Sequence, residues 1–367
     1  MSLVLPLAAV GCAQEDEPAG PPYVLGGLSV IPVDESYLCE GTVSLIEQEF
    51  ARVENALGLT AQMPLTAYLG ESAASDCPNT DVVLGCAQFD TEGVTIRAPI
   101  TDIFAHEVAH AVRLSSDIWG TSVIEEGYAE AVAVGGLPPA PRLPIDPQTV
   151  SPGPVVSVRD GLGHADFDYS MAGSFVEWLR TAHGDTPLRS FTTSSAFSGT
   201  ASERSPDGIM ASFESAFGLS LTDAESSWRQ QGLPQVAIPQ YVPLPQQPWD
   251  DGVHVRDALD CRSALVRGPS TQGGIEYGFF QIATRVPEAG AYRIDFGADP
   301  GLALEMTARC TPQDGAVPVQ FQAFVVLAPG ESTTAMLGAC EWGIFVQGDL
   351  ATGGAFEVDV EPSKPGS

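Results

Sequence analysis

A chain of 367 residues is long for one domain and comfortable for two, and a hydrophobic content of 44% is enough for packed cores, which excludes global disorder. Its 47 acidic residues against 16 basic ones leave a net charge of −31. Such a surface repels phosphate backbones and anionic headgroups, so the expected partners include no nucleic acid. The plainest use of this excess is solubility in an exported protein, and Lys364 as the sole lysine points to compositional bias rather than function.

The chain opens on MSLVLPLAAVGC, an apolar run that ends in small residues. Ala9-Val10-Gly11-Cys12 resembles the lipobox of a bacterial lipoprotein, in which the cysteine is acylated. That resemblance implies a lipid anchor at Cys12, a signal and tether over residues 1–22, and a cell-surface or periplasmic location; a plain secretory signal is the alternative. No other stretch reaches the length of a membrane-spanning helix. With Cys12 set aside, Cys39, Cys77, Cys86, Cys261, Cys310 and Cys340 form an even set, which in an exported chain reads as disulfides. Fifteen pairings satisfy the count. The short loop Cys77–Cys86 and an inter-strand Cys310–Cys340 are favoured, leaving Cys39–Cys261 to join the two halves. None has the CxxC spacing of a zinc ribbon.

Residues 23–235 mix strand and helix signals. LSVIPV (28–33) reads as a strand and residues 40–59 as an amphipathic helix ending near Gly58. LTAYL (65–69) and GVTIRAP (93–99) read as strands, separated by a loop holding Cys77 and Cys86. IFAHEVAHAV (103–112) reads as a helix with Thr101 or Asp102 as its N-cap. SVIEEGYAEAVAVGG (122–136) reads as a second helix, ended by its glycines. The Pro/Gly-rich stretch 137–163 fits a loop over a site's rim. Helices are expected over 168–184 and 207–231. The Pro-rich segment 236–252 reads as an extended linker. Beyond it, short alternating runs broken by Gly and Pro predict an antiparallel β-sandwich over 253–362, within a second domain of residues 253–367.

On a helix, His106 and His110 share one face a turn apart, an arrangement that suits zinc. Glu107 beside the first histidine can reach water at such a site without being a ligand. Ala105, Val108, Ala109 and Val112 make the opposite face apolar, fit for burial. With five histidines in the chain, an HExxH by accident arises about half a per cent of the time, so the motif points to metal. Catalysis by zinc needs a third protein ligand and an open position. The HExxHxxGxxH pattern does not supply it, since residue 113 is Arg and residue 116 is Ser. The chain continues instead into IEEGYAE, which starts at Ile124.

Here the sequence resembles the gluzincin metallopeptidases, in particular the small bacterial proteins of the peptidase MA-like group, where an HExxH helix precedes one bearing an EGxAE-type motif. The motif in this chain is Glu126-Gly127-Tyr128-Ala129-Glu130. The resemblance makes His106, His110 and Glu126 the ligands of a Zn2+ ion, and Glu130 the residue that hydrogen-bonds a ligand imidazole and fixes its tautomer. Glu125 competes as ligand, but the glycine after Glu126 and the spacing to Glu130 favour Glu126. DYSMAGSFVEWL and AFGLSLTDAESSWRQQ are similar to later helices of that group. The likeness therefore spans about residues 30–231 and implies an α+β zincin-like metallopeptidase domain; the all-β sandwich domain expected to follow it lies outside the resemblance. It further implies a zinc-activated water that attacks a peptide bond of a peptide or protein substrate, with Glu107 as general base. Tyr169 and His164 are the candidates to stabilise the oxyanion. GVTIRAP is the candidate edge strand to pair with extended substrate. The alternative is a catalytically inactive, metal-binding surface lipoprotein acting as a binding module, and hydrolysis of a non-peptide amide or ester at the same zinc is a third reading. The retained Glu107 favours catalysis.

Overall fold

The computed structural model describes residues 22–33, 37–70, 72–77, 85–90, 92–99, 103–118, 122–133, 169–198, 205–231, 244–272, 275–309 and 324–363. Strands β1 (Tyr23–Leu25), β2 (Leu28–Pro32), β3 (Leu65–Leu69), β4 (Cys86–Phe89) and β5 (Val94–Ala98) form one sheet in the order β1-β2-β3-β5-β4. The middle strands β2, β3 and β5 run parallel, and β1 and β4 are antiparallel at the two edges. Leu28 and Val30 of β2, with Leu65, Ala67 and Leu69 of β3, alternate inward as the period-2 pattern requires.

The strand expected at 93–99 is present, but it is not the edge: Cys86 to Phe89 pair with Arg97 to Val94 and cover it. The region between 69 and 93, expected as loop, thus holds β4. Four residues that are only half-buried or exposed carry no alternation by which to recognise a strand.

Helix α1 (Glu40–Leu57) connects β2 to β3 and stops at Gly58, whose φ of 63° lets its amide turn back onto Asn55. Its N-terminal turn has no side-chain cap. Its first donors go instead to the C-terminal part: Cys39 N to the Gly268 carbonyl at 2.9 Å and Glu40 N to the Cys261 carbonyl at 3.0 Å. The Thr42 hydroxyl also accepts from Gly268 N at 2.7 Å. At Gly41 a β-carbon would stand 2.4 Å from the Val266 carbonyl oxygen, so only glycine admits this approach.

After β5 come α2 (Ile103–Ser115), α3 (Ser122–Ala133), α4 (Tyr169–His183), α5 (Asp185–Thr192), α6 (Ser195–Ser198), α7 (Pro206–Phe217) and α8 (Leu221–Gln231). The single helical region expected over 207–231 is two helices. Gly218 takes a left-handed φ of 72° and ends α7, and the Ser220 hydroxyl accepts from Asp223 N at the start of α8. Sheet and helices share one core, in which Val30, Ile96, Val108, Phe175, Trp178 and Trp228 are buried.

The C-terminal part is β-rich. Strands β6 (Val253–Ala258), β7 (Val266–Gln272), β8 (Ile275–Arg285), β9 (Gly290–Ala298), β10 (Ala303–Arg309), β11 (Phe324–Leu327), β12 (Ser332–Leu337), β13 (Glu341–Asp349) and β14 (Ala355–Pro362) form two antiparallel sheets. Their orders are β11-β10-β13-β8-β7 and β12-β9-β14-β6. The sheets face each other across a core where the Phe280 and Phe356 rings lie 4.8 Å apart. The chain is thus mixed α+β. The described end of the Pro-rich linker is not free: Pro245 accepts from Ala283 N, and Gln247 N donates to the Ala283 carbonyl. Proline lacks a donor but keeps its acceptor, so such a segment can line a strand from one side.

Cys39–Cys261 and Cys77–Cys86 are disulfides. Cys340 is disulfide-bonded as well, and its expected partner Cys310 lies outside the described residues. These bonds fit an oxidising, exported environment. Among the described residues no helix is long and apolar enough to cross a membrane. Cys12 and the rest of residues 1–21 lie outside the described residues.

Candidate metal centre

Helix α2 presents its back, Ala105, Val108, Ala109 and Val112, to the core, and turns His106, His110 and Arg113 toward α3. The partners on α3 descend as those on α2 ascend: Glu130 faces His106, Glu126 faces His106 and His110, and Glu125 faces Arg113. The two helices are therefore antiparallel where they meet, and their polar faces meet inside the protein.

His106 Nε2 lies 3.0 Å from Glu126 Oε2, His110 Nε2 lies 3.1 Å from the same oxygen, and the two Nε2 atoms are 3.1 Å apart. All three residues are buried, and together they are a donor set able to hold a metal ion. The three contacts cannot all be hydrogen bonds: each Nε2 carries at most one proton, and a proton aimed at Glu126 is not aimed at the other ring. One cation shared by the three atoms would satisfy all of them at once. Nitrogen and oxygen ligands at about 2.0–2.1 Å from a tetrahedral ion stand about 3.3 Å apart, close to the edges observed here. The donor set therefore fits a small divalent ion.

Glu130 Oε1 is 3.1 Å from His106 Nδ1. A proton held there leaves Nε2 as the lone-pair nitrogen, the tautomer a metal requires. Glu125, the competing carboxylate, is taken up elsewhere: Arg113 donates from Nε at 2.7 Å and from a terminal nitrogen at 2.6 Å to its two oxygens. In the sequence alone Arg113 stands out only as a break in the longer histidine pattern. The signal that could have found its role is its place on the His106–His110 stripe, opposite the first glutamate of EEG.

Two glycines bring α4 against α3. A β-carbon on Gly127 would fall 2.8 Å from the Ala172 carbonyl oxygen, and one on Gly173 would fall 2.6 Å from Glu130 Cβ. The glycine of the EGxAE motif is thus needed for a close helix crossing beside Glu126 and Glu130. Tyr169 is the first residue of α4. Its side chain, His164 and the stretch 137–163 lie outside the described residues.

Glu107 is buried next to this centre, and burial pushes its carboxyl above the ordinary range against the pull of His110 and His106. Burial disfavours a charged His106, but hydrogen bonds to Glu126 and Glu130 with the nearby carboxylates outweigh it and raise the imidazole from 6.5 to about 10. Burial likewise opposes ionisation of Glu126, and its contacts with His106 and His110 overcome this and hold the carboxyl below the ordinary range. The metal-free protein therefore keeps a proton where a metal would put its charge. Because the folded value is the higher one, His106 stabilises the metal-free fold fully below pH 6.5, and that stabilisation is lost as pH rises through about 10. A metal needs the neutral ring. We expect binding of a divalent metal ion at pH 7.5 to release about one proton from His106, read as a binding enthalpy that depends on the ionisation enthalpy of the buffer.

No family model matches this sequence, and no curated protein matches it. Among solved structures, the chain is similar to the pre-peptidase C-terminal domain of a collagenase from Bacillus anthracis, with 12% identity over 32% of this chain and 93% of that one and a TM-score of 0.21. It is also similar to PliG of Aeromonas hydrophila, a periplasmic inhibitor of g-type lysozyme, with 11% identity over 32% of this chain and 96% of that one and a TM-score of 0.21. At these scores neither likeness bears on the activity of this chain.

Proposed function

We propose that the protein is an exported zinc metallopeptidase of zincin-like fold, held to a membrane through Cys12. The observation that carries this reading is the convergence of His106, His110 and Glu126 beside a buried Glu107. His106, His110 and Glu126 hold the ion, and Glu130 orients the His106 ring. A zinc ion bound there supplies Lewis acidity, polarising a substrate carbonyl and making water acidic enough to react near neutral pH. Glu107 takes the proton from the attacking water and delivers it to the leaving amine; a carboxyl raised by burial is the better base for it. The strand that pairs with an extended substrate is β4, the edge of the sheet, in place of the covered β5. Tyr169 at the start of α4 is the residue proposed to meet the oxyanion.

Metal analysis combined with hydrolysis tests this. The purified full chain should carry a single zinc and cleave an unfolded protein substrate. Chelation should abolish cleavage, and added zinc should restore it. A chain that binds zinc yet cleaves no peptide, amide or ester substrate overturns the hydrolase reading and leaves a metal-bearing binding module.

A further inference from the structure

The Arg113–Glu125 pair is the one polar contact between α2 and α3, among those described at the centre, that is complete without a metal. Its two nitrogens and two oxygens meet in parallel at 2.7 and 2.6 Å, with side chains 1% and 0% exposed. The same guanidinium lies within 3.4 Å of the Thr192 carbonyl at the end of α5 and 5.1 Å from the Tyr128 ring centre. Three helices thus meet on one planar, fully charged group. The His–Glu contacts one and two turns away cannot supply such a lock, because their geometry depends on which proton or ion sits between them.

Register between the two helices decides whether a metal can bind. Moving α3 by one residue shifts it about 1.5 Å along its axis and turns it by about 100°. Either change takes Glu126 away from the histidines and puts Glu125 or Gly127 in its place. The fork on Glu125 forbids this, since Glu125 and Glu126 are neighbours and cannot both face α2 histidines while one is held by Arg113. We propose that Arg113 is a positioning residue: its ion pair with Glu125 fixes the register of α3 on α2, and so pre-forms the His106–His110–Glu126 site before any ion arrives. This rests on the metal reading of that site but not on its hydrolytic activity.

A purely structural role and a positioning role predict different results. Replacing a buried ion pair by apolar residues of similar size often leaves stability unchanged or higher. The full-length R113M/E125L variant should therefore keep its melting temperature in chelator, while its zinc Kd, measured by competition with a chromophoric chelator, rises about 10- to 100-fold, as when supporting residues around a metal site are lost. The cobalt(II) absorption spectrum of the variant should also broaden or shift. If the double variant does not fold, E125Q serves, because it keeps the shape and weakens the fork; its zinc Kd should rise about threefold or more. A folded variant with a zinc Kd and cobalt spectrum equal to wild type overturns the positioning role. A wild-type chain that binds neither zinc nor cobalt overturns the metal reading itself, before any variant is compared.

Discussion

Glu107→Gln should bind zinc as tightly as the wild type and lose about 10²- to 10⁴-fold in kcat on a peptide substrate, the usual contribution of a general base. The substitution is isosteric and removes only the ability to accept and return a proton. Glu107 is not among the three donors that converge on one another, so the ion has no reason to leave. The side chain is buried at 6% exposure, and a neutral amide is accommodated there more readily than a carboxylate whose ionisation burial already opposes. Stability should be unchanged or slightly raised. Steady-state rates at measured metal content check this. Full activity in zinc-loaded Glu107→Gln would remove Glu107 from the chemistry and return the site to a metal-binding role.

Replacing both Cys39 and Cys261 by serine should cost about 5 kcal/mol, the upper end for a crosslink, because the bond closes a loop with a sequence separation of 222. The constraint acts chiefly on the unfolded chain. The bond also sits where α1 meets β7, and Cys39 is fully buried, so two hydroxyls placed there add a desolvation cost. Denaturation midpoints in guanidinium, compared for the oxidised wild type and the double serine variant, give the number. Zinc affinity measured well below the new midpoint should change little, since both cysteines pack in the C-terminal core and not in the one that holds α2 and α3. An unchanged midpoint would mean that the hydrogen bonds of Thr42, Cys39 and Glu40 to the C-terminal part hold the junction alone.

How much of this is readable in the residues depends on how local the physics is. The His106–Glu107–His110 grouping is legible because helix periodicity alone puts two imidazoles on one face. Glu126 is sixteen residues beyond His110 and is assigned in the sequence only through resemblance; the structure brings it within 3.1 Å of both rings. The ends of α1 and the strands β2, β3 and β5 are legible from alternation and a glycine stop. Strand β4 escapes sequence reading because an edge of four partly exposed residues lacks a hydrophobic pattern, although Cys86 within it marks the spot. The break at Gly218 escapes it because amphipathic periodicity runs through on both sides. The Arg113–Glu125 pair is only hinted at, by the place of Arg113 on the His106–His110 stripe, since its energetics are those of a meeting between two helices. The attachment of Pro245 and Gln247 to β8 is likewise a long-range event that composition treats as linker.

The unfinished first turn of α1 has a consequence for how the protein matures. Its leading amides are completed by carbonyls at 261 and 268, and Thr42 reaches Gly268 across a separation of 226. Further along the same helix, Arg52 donates to the Val132 carbonyl at the end of α3 at 2.9 Å. A chain delivered from its N-terminus through an export channel therefore emerges with the histidine helix long before the segment that finishes the brace behind it. A truncated product ending near residue 231 would retain every proposed ligand yet leave the Cys39 and Glu40 amides without these acceptors, and should be less stable than the full chain.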